Sequence, residues 1–258
     1  MVRFLQNFKK YDFLLSQLVG KEIKLKYRNS YLGIIWTLLE PLLTMLVLTL
    51  VFSRLLGKST QDFPVYILTG RLIFSFYSNS SKQALKSVRS HGAMIKKVYV
   101  PKYMYPLAAI LSNYATFLIS LVVLAAVAAF RHVAPTVYLL QAIVPLLVIL
   151  GLSLGTGLIL AALAVFFRDL EYLWGVVTMI IMYASAIFYH VEDVVSEKNQ
   201  WIFRLNPVYA CIDNLRSAVF GSPMDLGFTV YSALVAVVLI VVGMIVFYKS
   251  QDKFILHL

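Results

Sequence analysis

The stretch SVRSHGAMIKKVYVPKYMYPL, residues 87–107, moves from dense positive charge into apolar sequence. Between Lys82 and Lys102 the chain carries six Lys or Arg residues and no acidic residue. Pro101 and Pro106 then precede a long apolar run. Unbalanced positive charge beside an apolar run is typical of the cytoplasmic edge of a membrane span. The stretch therefore predicts a cytoplasmic loop followed by a membrane-spanning helix.

The composition of the whole chain also predicts a membrane protein. The 258 residues are 60% hydrophobic and 14% charged, with a mean hydropathy of +0.81, whereas soluble domains are about 25% charged. The single cysteine, Cys211, excludes an intrachain disulfide framework and a cysteine-based metal cluster. Residues 1–15 lack an apolar run that ends in a small-residue cleavage site, so we expect the first span to act as the membrane signal.

Six stretches are apolar enough to cross a bilayer, which takes about 20 residues each. The predicted fold is an all-α membrane protein with spans at about 33–53, 65–81, 104–130, 138–166, 172–190 and 226–248. The second stretch is short and contains Arg71 and several other polar residues. The fourth is longer than a bilayer requires and is expected to tilt. Residues 1–32 form a predicted cytoplasmic interface segment, and residues 33–258 form the six-span domain.

The charges are distributed unequally between the two sides of the predicted spans. The segments 1–32, 82–103, 167–171 and 249–258 hold 16 Lys or Arg and five acidic residues, whereas the loops on the other side hold six of each. Positive charge favours the cytoplasmic side, so both termini are predicted to be cytoplasmic. Because topology accounts for the net charge of +11, the chain is not expected to bind nucleic acid.

Three segments outside the predicted spans have helical patterns. Phe4–Lys26 alternates apolar residues and lysines at helical spacing, which predicts an amphipathic helix on the inner membrane surface. Ser87–Val98 predicts a second helix, ended by Pro101. On the outer side, segment 191–225 contains periodic stretches such as Val208–Phe220, which predict short helices.

The charged loop contains apolar residues that a simple connection does not require. Val88, Met94 and Ile95 lie among its basic residues, and the loop is longer than a minimal connection between helices. The pattern favours an amphipathic helix presented to a cytoplasmic partner, with Met94 and Ile95 as apolar anchors and Lys96 and Lys97 as steering charges. An ordinary basic loop is the alternative.

The sequence contains no convincing catalytic or metal-binding motif. Residues 57–60, GKST, resemble the end of a phosphate-binding loop, but Phe52 stands where that motif needs a glycine, and a membrane span precedes it. The histidines are scattered, without the spacing of metal ligands; they are His91, His132, His190 and His257. We therefore predict no catalytic residue and no metal site in this chain.

Glu40 and Arg71 are the clear charges within the predicted spans. A charge in lipid is costly unless it is paired or hydrated. These two side chains are therefore predicted either to pair with each other or to line a polar path. Separately, Gly151 and Gly155 predict close helix packing, within one subunit or between two.

Four sequence blocks resemble the recurrent blocks of one transporter family. They are KYRNSYLGIIWTLLEPLL (26–43), MIKKVYVPKYMYPLA (94–108), FFRDLEYLW (166–174) and LNPVYACIDNLR (205–216). In this order, on a six-span chain, they resemble bacterial ABC-type exporter permeases, most closely the branch that exports O-antigen, teichoic acid or capsular polysaccharide. The resemblance covers nearly the whole chain. One departure is Ala186 in SAIFY, where the family often has a proline.

The resemblance implies a homodimeric permease in the plasma membrane (the inner membrane of a Gram-negative cell), with the path of a lipid-linked polysaccharide between its subunits. Two separate cytoplasmic ATPase subunits would bind ATP and magnesium, so this chain would hold no cofactor and hydrolyse no ATP itself. Residues 82–101 resemble the coupling helix that docks in the ATPase, beside the N-terminal helix. Segment 191–220 resembles the gate helices at the outer exit.

These considerations give three sets of candidate site residues. The ATPase-docking set comprises Ser87, Val88, Arg89, His91, Met94, Ile95, Lys96 and Lys97. The substrate-path set comprises Glu40, Arg71, Tyr77, Tyr183, Phe188 and Tyr189. Its aromatic members either stack on sugars or belong to the aromatic belt of the membrane interface. The gate set comprises Asn206, Pro207 and Arg216.

Two other functions are compatible with the sequence. A related permease could export a drug or a lipid, although LGIIWTLLEPLL at the start of the first span is not typical of such permeases. A membrane-embedded glycosyltransferase or acyltransferase would need acidic or histidine residues clustered at a membrane face, and the nearest group is His190 with Glu192 and Asp193. A neighbouring reading frame that encodes an ATPase would favour either exporter.

Overall fold

The fold is a bundle of helices, described here from a computed structural model that covers residues 11–28, 30–56, 62–97, 100–191 and 200–257. All regular structure in these ranges is helical. The α-helices are α1 Asp12–Tyr27, α2 Trp36–Leu56, α3 Phe63–Ser90, α4 Gly92–Ile95, α5 Met104–Phe130, α6 Ile143–Phe166, α7 Leu170–Tyr183, α8 Trp201–Arg204, α9 Pro207–Phe220, α10 Leu226–Ser250 and α11 Phe254–His257. Short 3₁₀ helices cover Gly33–Ile35, Val137–Ala142 and Gln251–Lys253.

Four helices of the described residues are long and apolar enough to cross a membrane. They cover Gly33–Ser53, Met104–Phe130, Val137–Phe166 and Leu226–Lys253. These agree closely with the first, third, fourth and sixth predicted spans, and the third has the same bounds as predicted. The chain is therefore a helical membrane protein with several spans. The second and fifth predicted spans are not among these four helices.

The second predicted span belongs to α3, which is 28 residues long and lies at the centre of the bundle. Twenty of its residues are buried, because α5 and α6 pack along it. Hydroxyl groups on α3 bond to the helix itself: Thr69 donates to the carbonyl of Tyr66 at 2.8 Å, and Ser87 donates to that of Ala84 at 2.6 Å. Such bonds satisfy buried hydroxyls without water, so α3 does not need to be strongly apolar.

Helices α6 and α10 pack very closely. A Cβ atom added to Gly155 would lie 2.5 Å from the carbonyl carbon of Leu239 and 2.6 Å from the nitrogen of Ile240. A Cβ added to Gly243 on α10 would lie 2.8 Å from the carbonyl oxygen of Gly155. The glycines therefore allow two backbones of one subunit to meet. Of the two readings left open by Gly151 and Gly155, packing within the subunit is the one observed.

The fifth predicted span, 172–190, is not one continuous helix. Helix α7 ends at Tyr183, and the chain continues without helical structure through residues 184–190. Within this segment Ala186 has a φ of +44°, which interrupts a right-handed helix. Side chains from α9 bond to the carbonyl groups of the segment, as described below, so the ordinary helical hydrogen bonds are replaced.

The predicted helix Ser87–Val98 is also wrong in its bounds. Ser87, Val88 and Arg89 form the last turn of α3, which bends at His91 (φ −99°, ψ 12°). The separate helix α4 has only four residues, Gly92–Ile95, and Val98 lies outside the described residues.

Helix α1 covers the end of the bundle at which α3 ends and α4 begins. Its Leu15 and Leu18 are buried in one apolar cluster with Val88 on α3 and Ile95 on α4. The buried part of the predicted amphipathic helix is therefore covered by protein, since α1 packs mainly against α5, whose Met104 and Tyr105 belong to the same cluster. The part of the prediction before residue 11 lies outside the described residues.

Candidate functional site

A polar cleft runs between α2, α3, α5 and α7. Glu40 on α2 and Arg71, Ser75 and Asn79 on α3 line both of its adjoining parts. The first part is completed by Lys26, Tyr27, Thr37, Pro41, Thr44, Leu72, Phe76, Asn113, Thr116, Phe117 and Ser120. The second part is completed by Phe74, Ser78, Lys82, Gly175, Thr178, Met179 and Met182. Because the two parts share four residues, they form one continuous groove along α3.

One face of α3 supplies most of the polarity of the cleft. Arg71, Ser75 and Asn79 are spaced by four residues, and Lys82 follows three residues later. This spacing places all four on one side of a helix. Asn79 and Lys82 are exposed, and Arg71 and Ser75 are half-buried. Our sequence analysis identified Arg71 alone, although the regular spacing was the signal that points to the others.

Glu40 and Arg71, predicted either to pair or to line a path, both face this cleft. Glu40 is exposed and Arg71 is half-buried. Among the described residues, no ion pair within 4.0 Å joins the two side chains. They therefore contribute opposite charges to one groove without direct contact.

The charged lining of the cleft is predominantly positive. Lys26, Arg71 and Lys82 contribute three cations, and Glu40 contributes one carboxylate. Lys26 lies near the end of α1, where burial lowers the pKa of its ammonium group and the carboxylate of Glu40 opposes that shift. Serine, threonine and asparagine side chains lie between the charges. The cleft can therefore form hydrogen bonds with hydroxyl groups and attract negatively charged groups.

The aromatic residues predicted for the path occupy different places. Tyr77 is only 4% exposed and packs near Trp174, with ring centroids 6.5 Å apart, so it does not line the cleft. Tyr183 is exposed at the end of α7. Phe188 is buried and stacks on Phe52 of α2 at 4.9 Å. Tyr189 donates its hydroxyl to the carbonyl of Tyr183 at 2.7 Å, which ties the segment after α7 back to the end of that helix.

The predicted gate residue Arg216 is buried beside the N-terminal end of α3. Its guanidinium donates to the carbonyl of Tyr66 at 3.3 Å, of Ala186 at 3.1 Å and of Ile187 at 3.3 Å. It also lies over the ring of Tyr66, 3.4 Å from the centroid. Tyr66 in turn donates its hydroxyl to the carbonyl of Tyr189 at 2.9 Å. Arg216 therefore joins α9, α3 and the non-helical segment 184–190.

The other two gate residues start α9. Asn206 caps this helix by accepting the backbone N–H of Val208 at 3.0 Å, and Pro207 occupies the first turn, where its missing N–H has no consequence. The amide of Asn206 also donates to the carbonyl of Ala184 at 3.1 Å and to the hydroxyl of Ser185 at 2.9 Å. Asn206 and Arg216 thus both bond to the segment that follows α7.

The predicted docking residues form a turn at the opposite end of α3. Lys96 and Lys97 are exposed, and Met94 is half-buried. Ile95 is 7% exposed, since it packs into the apolar cluster with α1. The charges of this turn are therefore available at the surface, whereas Ile95 supports the turn from inside.

The profile of the ABC-2 type transporter family matches residues 14–220, which is most of the chain and includes the cleft, the turn at α4 and the whole of α9. The chain belongs to the ABC-2 type transporter family. It is 26% identical over 243 residues to an O-antigen export system permease protein, RfbA, of Klebsiella pneumoniae, which covers 93% of both chains.

Other relatives of this ABC-2 transporter also match over most of their length. The RfbA protein of Myxococcus xanthus is 26% identical over 256 residues, 98% of each chain. The capsule polysaccharide export inner-membrane protein CtrC of Neisseria meningitidis is 24% identical over 212 residues, 81% of this chain and 80% of the relative. In this ABC-2 transporter, α3 begins beside Arg216, follows the cleft and ends at the turn that leads to α4.

Proposed function

We propose that this chain is the permease subunit of an ATP-driven exporter that moves a lipid-linked polysaccharide, of O-antigen or teichoic acid type, out of the cytoplasm. The observation that carries this proposal is the match, over at least four-fifths of the chain, to the polysaccharide export permeases described above. The polar cleft supports it, because a glycan needs hydrogen-bond partners along its path through the membrane.

A homodimer would complete the path. The cleft lies between α2 and α7, and both helices have exposed apolar side chains beside it. On α7 these include Tyr172, Leu173, Val176 and Ile180, each more than half exposed. A second copy that packs on these faces would close the groove into a channel between subunits. Tyr183 then lies at the rim of the channel, and Glu40 and Arg71 lie within it.

The proposed topology has six spans and two cytoplasmic termini. Helix α3 crosses the membrane shielded by its neighbours, and α7 together with segment 184–190 forms the fifth crossing. Residues 1–32 form the interface segment and residues 33–258 form the permease domain. The exposed charges of Lys96 and Lys97 then lie on the cytoplasmic side, at the surface to which an ATPase subunit docks. Arg216, Asn206 and Pro207 lie at the outer gate.

Separate ATPase subunits, two in each transporter, would supply the energy. They would bind ATP and magnesium, and the permease alone would turn over no ATP. The motif GKST at 57–60 lies outside the described residues, and it lacks the preceding glycine of a phosphate-binding loop. The histidine and acidic group required by the transferase alternative includes Glu192 and Asp193, which also lie outside the described residues.

Deletion of the gene in its host tests the proposal against both alternatives. If the chain exports a polysaccharide, the deletion strain continues to make the glycan but accumulates it inside the cell, and a plasmid copy restores it to the surface. A transferase would instead be required for synthesis, so no intracellular glycan would accumulate. Unchanged surface polysaccharide together with loss of resistance to a drug would favour a drug exporter.

A further inference from the structure

A chain of hydrogen-bonded side chains crosses three helices between the docking turn and the cleft. The Gln83 amide on α3 donates to the Glu22 carboxylate on α1 at 2.8 Å. The Asn113 amide on α5 donates to the Gln83 carbonyl oxygen at 2.6 Å. We call Glu22, Gln83 and Asn113 the inner relay. These residues were not among the predicted site residues.

The two ends of the inner relay lie at different functional surfaces. Glu22 lies 3.6 Å from His91, whose side chain stands at the bend between α3 and the docking helix α4. Both side chains are largely buried, with 17% and 16% of their surfaces exposed. At the other end, Asn113 lines the cleft together with Arg71 and Asn79. The relay therefore connects the proposed ATPase-docking surface to the cleft.

The amide groups of Gln83 and Asn113 can satisfy the relay in one orientation. A carboxylate only accepts hydrogen bonds, so Gln83 must turn its NH₂ group towards Glu22. Its carbonyl oxygen then faces Asn113, which must present its own NH₂ group. If α1 moves Glu22 away, Gln83 loses the acceptor that holds its orientation. Asn113, whose NH₂ group also donates to the carbonyl of Ala109 at 2.8 Å, then loses one of its two acceptors at the lining of the cleft. Movement of the docking surface and the hydrogen-bonding state of the cleft are therefore linked.

We propose that the inner relay is a coupling element, in which Gln83 and Glu22 are positioning residues that transmit ATPase docking to the cleft. This proposal rests on the proposed function, because it requires a cytoplasmic ATPase partner. An apolar contact between the helices would hold them together equally well. The relay differs because its hydrogen bonds depend on the relative positions of α1, α3 and α5, and a buried amide without partners is costly.

A cysteine at the cleft reports on this coupling. Asn79 is exposed in the cleft, and the one native cysteine, Cys211, is only 1% exposed. The Asn79→Cys permease is purified with its ATPase subunit in nanodiscs and labelled with a maleimide fluorophore. The labelling rate is compared without nucleotide and with ATP, magnesium and vanadate. Coupling free energies are typically about 1–3 kcal/mol, so we expect the two rates to differ by about fivefold or more.

Two variants in the Asn79→Cys background distinguish coupling from structural support. Gln83→Met keeps the size of the side chain and removes both relay bonds, so the nucleotide effect on labelling should disappear while the ATPase still co-purifies. Gln141→Met is the matched control. Gln141 accepts one hydrogen bond, from the backbone of Met224 at 3.1 Å, and lies away from the docking turn. This variant should keep the full nucleotide effect.

A double variant provides the rescue. Gln83→Glu alone sets two carboxylates against each other and should abolish the nucleotide effect. With Glu22→Gln added, the carboxylate at position 83 can accept from the new amide at position 22 and from Asn113. The nucleotide effect should then return, which a merely structural role would not produce.

The outcomes separate this proposal from the proposed function. If the ATPase does not co-purify with the Asn79→Cys permease, the proposed function is wrong. If the ATPase co-purifies and hydrolyses ATP but labelling does not respond to nucleotide, the relay transmits nothing and the inference is wrong. The inference is also overturned if Gln83→Met retains the response, or if the double variant assembles with the ATPase and does not regain it.

Discussion

Helices α3 and α10 have similar lengths and opposite surroundings. The most apolar window of α10 has a mean hydropathy of 2.9, and only 22% of it is buried inside the protein. Helix α3 carries Arg71 and a row of serines, and 20 of its 28 residues are buried. Helix α10 is therefore available to lipid along most of its surface, whereas α3 contacts other helices and the polar cleft.

The difference shows what hydropathy measures in a membrane protein. An apolar sequence indicates how much of a helix faces hydrocarbon, because polar groups there have no partners. A helix that is enclosed by its neighbours can carry polar side chains when those side chains bond to the helix itself or face a hydrated groove. Thus the least apolar predicted span is the central helix of the bundle.

The largest effect on folding is expected from replacement of Arg216, a charged side chain that is buried among other side chains of the protein. Arg216→Met removes the guanidinium that bonds to the carbonyls of Tyr66, Ala186 and Ile187. The Tyr66 carbonyl keeps its bond from Thr69, and each buried group that is left unsatisfied costs about 1–3 kcal/mol. We expect a severe loss of folded protein, measured by fluorescence-detected size-exclusion chromatography. Arg204→Met is the matched control, since Arg204 is exposed, and it should stay close to the wild type. Equal yields from both variants would contradict the contacts assigned to Arg216.

The comparison between α3 and α10 is tested directly by placing the same arginine on each. Val238 lies at the middle of α10 and is 58% exposed, so Val238→Arg should cost about 2.5–3.5 kcal/mol of insertion free energy. Asn79→Arg adds the same charge to the cleft face of α3 and should insert nearly normally. The measurement is the fraction of protein integrated into membranes. If Asn79→Arg is lost to the same extent, the cleft is not hydrated and the comparison fails.

A smaller effect is expected at the contact between α10 and α6, the helix that also packs along α3. Gly155→Ala places a methyl group against the backbone of Leu239, and overpacking of this kind typically costs about 1–3 kcal/mol. The thermal midpoint of the purified protein should fall. Gly175→Ala on α7 serves as the control, because its added Cβ would meet no atom within 4 Å. Alanine favours a helix more than glycine does, so helix propensity alone would raise both midpoints. A midpoint lowered equally by both changes would show that the contact of Gly155 with α10 is not responsible.

The sequence predicted a helix boundary well where residues close to that boundary determine it. The third span begins at Met104 as predicted, because the basic loop ends there and Pro106 fits the first turn of a helix. A helix was also predicted at Val208–Phe220 from the periodicity of that stretch, and the observed helix is Pro207–Phe220, with Asn206 and Pro207 at its start. These elements depend on residues that are close together in the sequence.

Contacts between distant residues determine the features that the sequence analysis missed. Residues 184–190 are apolar enough to continue α7, but Arg216 and Asn206 bond to their carbonyls from a helix more than 20 residues away. The inner relay joins Glu22 to Gln83, which are 61 residues apart. No pattern in a single segment reports such pairs. The polar face of α3 is different, since its four-residue spacing was visible in the sequence.

The smallest expected effect on folding concerns Glu40 and Arg71, for which pairing and a shared path were the two predictions. In a direct pair, each single replacement would strand the other charge, and the double replacement would be milder than the sum. The two side chains line one cleft, and no ion pair within 4.0 Å joins them among the described residues. We therefore expect Glu40→Gln and Arg71→Gln each to leave the thermal midpoint almost unchanged. Their coupling free energy should be below about 0.5 kcal/mol, as for independent sites.

Export should respond more strongly than folding, because both changes alter the charge of the cleft. Surface polysaccharide in the deletion strain, complemented with each variant, measures this response. Arg71→Lys is the control that keeps the charge, and it should retain more export than Arg71→Gln. A coupling free energy of stability above about 1 kcal/mol would establish a pair and remove the reason to treat the two residues as separate parts of the path. Normal export in both single variants would show that export does not need the charge of Glu40 on α2 or that of Arg71 on α3.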